Sequence, residues 1–173
     1  MSYKAWFLTG LVIALGGCGA ERDEPFDPDT PVEEDPDAVR INVTKVIDGQ
    51  QPLLDIDGER QILVFREQEE YWLFLDRYTD TLPANEPDFE DGQVVLIDLG
   101  ERDNSQCEES LSLTTVIGEE YGDRGARLRL SYDLTESVED DTCSDAEAEL
   151  LRPYYFYYIS TRRQLVVSEA LSE

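Results

Sequence analysis

One segment of the chain repeats its apolar residues with the period of an α-helix. Residues 67–78 read EQEEYWLFLDRY, and four large apolar side chains recur there at intervals of three and four. This spacing places them on one face of a helix. Three glutamates fall in the first turn, where negative charge suits the helix dipole. The pattern predicts a helix that packs through Tyr71, Phe74, Leu75 and Tyr78.

The other apolar segments are short and have the patterns of β-strands. QVVLIDLG is apolar almost throughout, which is typical of a central strand. RLRLSYDL alternates instead, and this predicts that Leu128, Leu130, Tyr132 and Leu134 point inward. The predicted strands are residues 41–48, 93–100, 110–118, 127–134, 154–160 and 164–171, with a short helical stretch at 145–151.

Turn signals predict how these strands pair. Asp57-Gly58 lies between two apolar runs within residues 52–65, which is a strong hairpin signal. A glycine-rich loop joins the strands at 110–118 and 127–134, and the last two strands are predicted to pair across residues 161–163. These features predict an α+β fold for residues 41–173, an antiparallel sheet of about six to eight strands with one main helix packed on it.

The N-terminus has the pattern of an export signal. Residues 1–17 carry one lysine before an apolar run that is shorter than the ~20 residues of a spanning helix. Leu15-Gly16-Gly17-Cys18 resembles the lipobox of bacterial lipoproteins, in which the cysteine is acylated after cleavage just before it. This resemblance implies that Cys18 holds the chain at a membrane, because several acyl chains at ~0.8 kcal/mol per methylene anchor durably. Gly19 in place of an inner-membrane aspartate favours the outer membrane.

The residues after Cys18 are strongly acidic. Residues 18–40 contain four of the eight prolines and predict a solvated tether. The whole chain has 40 acidic and 14 basic residues, a net charge of −26, so nucleic acid is excluded as a partner. The acidity fits either a high-salt habitat or simply an acidic exported protein.

Cys107 and Cys143 remain as an even pair in an oxidising compartment, which predicts a disulfide. Closing this 37-residue loop would stabilise the fold by ~4 kcal/mol. A redox-active pair is the weaker interpretation because the C-x-x-C spacing is missing. A metal site is weaker still, since the chain has no histidine.

No catalytic pattern stands out in the sequence. The absence of histidine removes the usual general base, and the chain lacks G-x-S-x-G, P-loop and G-x-G-x-x-G motifs. Carboxylate pairs are expected by chance among 40 acidic residues. We therefore expect a protein that is not an enzyme and uses no cofactor and no metal.

The most unusual stretch is RPYYFYYISTRRQ, residues 152–164. Alternation sends Tyr154, Phe156 and Tyr158 to one face and Tyr155, Tyr157 and Ile159 to the other, and one set is expected to pack under the helix. The candidate partner-binding residues are Tyr155, Tyr157, Arg162 and Arg163. The two arginines could grip a carboxylate of a partner, or could simply balance nearby acids.

The order of these segments resembles the C-terminal domain of the protease-complex subunit PrcB. The similarity covers roughly residues 60–170, in REQEEYWLFLDRY, PDFEDGQVVLIDLGER and RPYYFYYI. Where the family often has Gly-Gly-Tyr after Leu-Gly, this chain reads DNSQCEES. The matching positions are Trp72, Asp88, Phe89, Leu99, Gly100, Pro153 and Tyr154.

The resemblance implies a non-catalytic, often lipid-anchored partner of exported proteins. We therefore expect a cell-envelope lipoprotein that binds or stabilises another exported protein, such as a protease complex. The alternative is a small-ligand or glycan-binding module whose tyrosines stack on sugars, which needs at least three exposed tyrosines on one surface. An unrecognised hydrolase is a distant third.

Overall fold

The computed structural model describes residues 38–56, 59–103, 109–122, 125–135 and 150–172. Two four-stranded sheets, a two-stranded ladder and one helix make up this part of the chain. The elements in order are β1 (Val39–Ile41), β2 (Val43–Gly49), β3 (Gln61–Phe65), α1 (Gln68–Tyr78), β4 (Gln93–Asp98), β5 (Arg102–Asp103), β6 (Ser110–Glu120), β7 (Ala126–Thr135), β8 (Leu150–Leu151), β9 (Tyr154–Ile159) and β10 (Leu165–Leu171).

The predicted α+β class is confirmed, and the structure divides the strands between two sheets. Sheet I has the order β1-β6-β7-β10, sheet II has the order β2-β9-β4-β3, and β5 pairs with β8. All pairs are antiparallel except β7 and β10. The hairpin of β6 and β7 is confirmed, as is the central position of β4. The predicted pairing of the last two strands is wrong, because β9 lies in sheet II and β10 crosses to sheet I.

The helix packs on sheet II through the face that its sequence predicts. Tyr71, Leu75 and Tyr78 are buried, and Phe74 is partly buried against the same cluster. The helix ends at Tyr78, and the N–H of Thr79, which has extended backbone, donates to the Leu75 carbonyl at 3.0 Å. The first core cluster thus lies between α1 and sheet II.

A second core cluster lies between the two sheets. Val95, Ile97 and Ile159 of sheet II pack there with Leu128, Leu130 and Tyr132 of sheet I. β4 contributes to both clusters, which explains why its sequence is apolar throughout. Leu134, predicted to point inward, is 44% exposed because it lies near the end of β7, outside this cluster.

Two local predictions fail. Residues 52–56 contain no strand, and β3 pairs with β4 instead of forming a hairpin around Asp57-Gly58, which itself lies outside the described residues. The N–H groups of Leu53 and Leu54 donate to the Tyr78 and Arg77 carbonyls at 3.2 and 3.0 Å, so this segment follows the end of the helix. The predicted helix at 145–151 is wrong at its described end, where 150–151 form β8.

The N-terminal predictions fall almost wholly outside the described residues. The signal peptide at 1–17, Cys18 and most of the tether at 18–40 belong to that part of the chain. Val39 and Arg40, assigned to the tether from the sequence, lie in β1. The domain therefore begins slightly earlier than residue 41.

Candidate functional site

The tyrosine strand β9 sends one set of side chains under the helix, as its alternation predicts. Tyr154 and Phe156 are buried, and both rings lie edge-on to Tyr78 with centroids 5.0 and 5.5 Å away. The Tyr154 hydroxyl donates to the Tyr78 carbonyl at 3.1 Å. Tyr158 is partly buried on the same cluster. This face of β9 is therefore core.

The other face of β9 is also engaged. Ile159 is fully buried, and Tyr155 and Tyr157 are partly buried against the second cluster between the sheets. The four tyrosines are buried or partly buried, and they divide between two faces. A sugar-stacking platform of three exposed tyrosines is therefore not present on β9.

Arg162 and Arg163 lie at the end of β9 among acidic side chains. The Arg162 Nη1 group donates to the Phe89 carbonyl at 2.8 Å, and its Nη2 atom lies 3.9 Å from Glu67. The Arg163 Nε atom lies 3.4 Å from a carboxylate oxygen of Glu120. Both arginine side chains are close to half exposed. These contacts favour the interpretation that the arginines balance local acids.

The buried side-chain amide of Gln93 holds the turn that carries the two arginines. The Gln93 Nε2 group donates to the carbonyls of Thr161 and Arg163 at 2.8 and 2.9 Å. The shallow depression around this turn is lined by Glu90, Asp91 and Glu120 and contains neither Tyr155 nor Tyr157. The two candidate tyrosines therefore lie outside the depression at the arginine turn.

The residues that carry the family resemblance have structural contacts. Trp72 and Phe89 both lie against the Tyr71 ring, with centroids 5.1 and 5.5 Å away. Exposed Asp88 accepts a hydrogen bond from the Glu90 N–H at 2.8 Å, which closes the turn before β4.

A second group of resemblance residues follows the ends of β4 and β8. Gly100 has φ +78°, a left-handed conformation that favours glycine, and its N–H donates to Asp98 at 2.9 Å. The Leu99 N–H donates to the Pro153 carbonyl at 2.9 Å. Pro153 and Tyr154 are buried.

Asp98 and Arg152 form a buried ion pair that the sequence patterns did not predict. The Arg152 Nε atom lies 2.9 Å from one oxygen of Asp98, whose side chain is fully buried. The Tyr78 hydroxyl donates to the same oxygen at 2.7 Å. Arg152 also donates to the Ile56 carbonyl at 2.6 Å. The available signal was a single charge in an otherwise apolar strand.

Burial and the contact with Asp98 raise the pKa of Tyr78. Removal of its side chain from water is the main cause, and the hydrogen bond to Asp98 adds to it. The Tyr78 hydroxyl also accepts from Gln61 at 3.0 Å. The phenol is thus held in its neutral form as part of the structure.

A second polar group joins the two sheets at the side where β3 and β10 are the outer strands. Arg60, just before β3, forms an ion pair with Glu169 of β10, and its guanidinium lies over the Tyr132 ring at 4.6 Å. The Tyr132 hydroxyl donates to Glu169 at 2.8 Å. Burial, and then this hydrogen bond, raise the pKa of Tyr132.

Among the described strands, β10 forms an outer edge with no neighbour at this side of the sandwich. The Gln164 carbonyl accepts a hydrogen bond from the Ala126 N–H at 2.9 Å, and the Ser172 N–H donates to the Tyr132 carbonyl at 2.7 Å. The even-numbered residues of β10 therefore direct their backbone N–H and C=O groups toward β7. In a parallel ladder the odd-numbered residues then direct their N–H and C=O groups to the opposite edge. No strand of the described residues lies along that edge. The odd-numbered residues are Leu165, Val167, Glu169 and Leu171.

The other outer strands carry features that limit pairing with a further strand. β1 has three residues, β2 has a register shift between Lys45 and Ile47, and β3 has five residues. β10 has seven residues in unbroken register and contains neither proline nor lysine. Its outward-facing Val166 is 58% exposed. β10 is therefore the edge best suited to pairing.

Cys107 and Cys143 lie outside the described residues, but the described residues on either side of them are paired. The segment with Cys107 and the segment with Cys143 both connect the β5–β8 ladder to the open end of the β6–β7 hairpin. The flanking pairs are Asp103 with Leu150 and Ser110 with Thr135.

Within the described ranges, no three His, Cys, Asp or Glu side chains converge as a metal site. The helix of the described part is too short and too polar to cross a membrane. Comparisons with protein-family models, with curated proteins and with solved structures found no match for this chain.

Proposed function

We propose that this protein is a non-catalytic, lipid-anchored cell-envelope protein whose domain binds another exported protein by strand addition at β10. The observation that carries the proposal is the seven-residue edge of β10, whose odd-numbered backbone groups pair with no described strand. An added strand would pair with these groups as an extended peptide does at an open sheet edge.

The chemistry around the edge indicates the kind of segment that fits. Leu165 and Val167 of β10 and Ile62 and Val64 of β3 are partly exposed at the same side of the second cluster. A segment with alternating apolar residues would bury these side chains against its inward face. The proposed partner segment is therefore extended, apolar on one face and polar on the other.

Net charge disfavours a second copy of the chain as the occupant. Each copy carries −26, so two copies repel one another at low ionic strength. The chain's own acidic stretch at 18–37 has four prolines, which cannot donate to a strand ladder. A separate exported protein, such as a protease subunit, is the partner that we propose.

The test compares two exposed apolar residues changed to lysine. Val166→Lys places a positive charge on β10, and lysine on an outer strand discourages pairing with a further strand. We expect this variant to bind the partner about tenfold more weakly, or by ~1.4 kcal/mol. Leu73→Lys on α1 is the control, since Leu73 is 66% exposed and Val166 is 58% exposed. Partners captured by the mature protein from envelope membranes, under oxidising conditions, would provide the binding assay.

Amide hydrogen exchange then locates the contact. Binding should slow exchange at the N–H groups of Val167, Glu169 and Leu171, which pair with no strand of the described residues. If a partner binds but leaves these amides unprotected, or if both lysine variants bind equally, strand addition at β10 is wrong.

The anchor is tested separately. Cys18→Ser should abolish labelling by palmitate and release the protein from the membrane fraction. Retained label in this variant would contradict lipidation at Cys18.

A further inference from the structure

A cavity of about 330 Å³ lies between β2 and the loop that follows α1. Sites for small molecules range from about 300 to 1,000 Å³, so this volume suits a ligand the size of one sugar ring. Tyr158, Val46 and buried Pro87 give it apolar walls, and the first two also pack on the core beneath the helix. Gly92 leaves room for the Tyr158 ring, because a Cβ at this position would collide with it.

Three polar side chains line the same cavity and keep hydrogen-bonding capacity. The Asn85 side chain makes no hydrogen bond with any described residue. Asp88 uses Oδ1 to accept from the Glu90 N–H at 2.8 Å, which orients the carboxylate and leaves Oδ2 available. The Asn42 amide nitrogen donates to Thr44 at 3.3 Å and leaves its oxygen available. The cavity thus offers an amide donor and several oxygen acceptors.

Charged groups of both signs surround these side chains. The Lys45 ammonium lies 3.0 Å from Asp48, and a Glu86 oxygen accepts from Gln68 at 2.6 Å. The cavity wall thus carries one cationic side chain, Lys45, and two carboxylates, Glu86 and Asp88. Glu86 and Asp88 would repel an anionic ligand, whereas the hydroxyl groups of a neutral ligand can donate hydrogen bonds to both carboxylates.

We propose that this cavity binds a small neutral polyhydroxylated ring, such as a single sugar residue. The ring packs against Tyr158, and its hydroxyl groups bond to Asn85 and Asp88, since an aromatic wall beside amide and carboxylate groups matches the alternating apolar and polar faces of such a ring. The site uses one tyrosine in a cavity and needs no exposed tyrosine platform. It is independent of the β10 edge, which belongs to the other sheet.

The test uses the mature protein and nuclear magnetic resonance titration. Glucose and N-acetylglucosamine serve as neutral probes, choline as a cationic probe and acetate as an anionic probe. We expect saturable shifts of residues around the cavity with at least one neutral probe. Asn85→Ala and Asp88→Ala should each weaken this binding about tenfold or more. Asp133→Ala, which removes an exposed carboxylate on β7, should leave it unchanged.

Asn85→Ala is the decisive variant, because Asp88→Ala also removes a hydrogen bond that closes the turn. Three outcomes would overturn the proposal: no saturable binding of either neutral probe, tighter binding of choline or acetate, or unchanged affinity in Asn85→Ala. None of these outcomes bears on partner binding at β10, so the two proposals fail separately.

Discussion

The Asp98–Arg152 pair is the most deeply buried ion pair among the residues that the structure describes. Asp98 is fully buried and Arg152 is 7% exposed. A buried pair adds little over an apolar pair of similar shape, but removing one partner leaves an uncompensated charge. The two residues attach the end of β4 to the start of β9, and Arg152 also holds the Ile56 and Glu59 carbonyls. The pair thus holds the backbone at Ile56, Glu59 and Gly100.

A double-mutant cycle should show this coupling. Asp98→Ala and Arg152→Met are each expected to lower the free energy of unfolding by ~3–5 kcal/mol, and the double variant by clearly less than the sum. Urea denaturation measures the three values. Asp133→Asn at an exposed site should stay within ~0.5 kcal/mol of the parent. Additive effects of the two single changes would contradict the coupling.

Two buried tyrosines should respond oppositely to loss of the hydroxyl. The Tyr71 hydroxyl is buried with no hydrogen-bond partner among the described residues, so Tyr71→Phe should be neutral or stabilising. The Tyr78 hydroxyl bonds to Asp98 and Gln61, so Tyr78→Phe should cost ~1–3 kcal/mol. Thermal and urea unfolding of both variants provide the comparison. Equal destabilisation would mean that the Tyr71 hydroxyl has a partner.

At the scale of elements, pairing decides the architecture more than strand propensity does. β9 and β10 follow each other closely in the chain, yet they enter different sheets across the turn that Gln93 fixes. β1 and β2 make a similar crossing on either side of Asn42. Both crossings place the sheets face to face, which buries the inward faces of β7 and β9 together.

A disulfide between Cys107 and Cys143 would link the segment between β5 and β6 to the segment between β7 and β8. Mass analysis of exported protein should show Cys107 joined to Cys143. Their replacement by serine should lower the free energy of unfolding by up to ~4 kcal/mol under oxidising conditions. Under reducing conditions the parent should unfold like the variant. Two free thiols in exported protein would refute the bridge.

At the scale of the whole molecule, two aromatic-rich clusters stabilise a highly acidic chain. The first contains Phe65, Tyr71 and Tyr78, whose rings all contact the ring of Phe156, and the second contains Tyr132. Tyr71, Tyr78 and Tyr132 are almost fully buried, and burial raises the pKa of each phenol above its ordinary value of about 10. Their ionisation is thus linked to unfolding.

Stability should therefore fall in alkaline solution. Above pH ~10 the unfolded chain releases these phenolic protons while the folded chain retains them, so stability is complete below that pH and is lost as the pH rises. Each phenol contributes a slope of ~1.4 kcal/mol per pH unit. Unfolding of Tyr132→Phe in the same range should show a slope smaller by about this amount. An identical slope in the variant would contradict the linkage.

The amino-acid sequence determined those features that depend on local periodicity. The helix, the positions of most strands, the buried nature of β4 and the alternation of β9 all follow from spacings of three to four or two residues along the chain. Leu134 is exposed, against prediction, because it lies near the end of its sheet. Residues 52–56 form no strand because they bond to the end of the helix. These are not properties of the residues themselves.

Only the tertiary structure decided how the elements meet. The division into two sheets, the parallel pairing of β10, the Asp98–Arg152 pair and the cavity beside Tyr158 all join residues far apart in the chain. Spacing along one strand carries no information about which distant strand lies beside it. Burial on both faces of β9 likewise depends on the helix and sheet I together, which is why its tyrosines form two halves of a core and not one stacking surface.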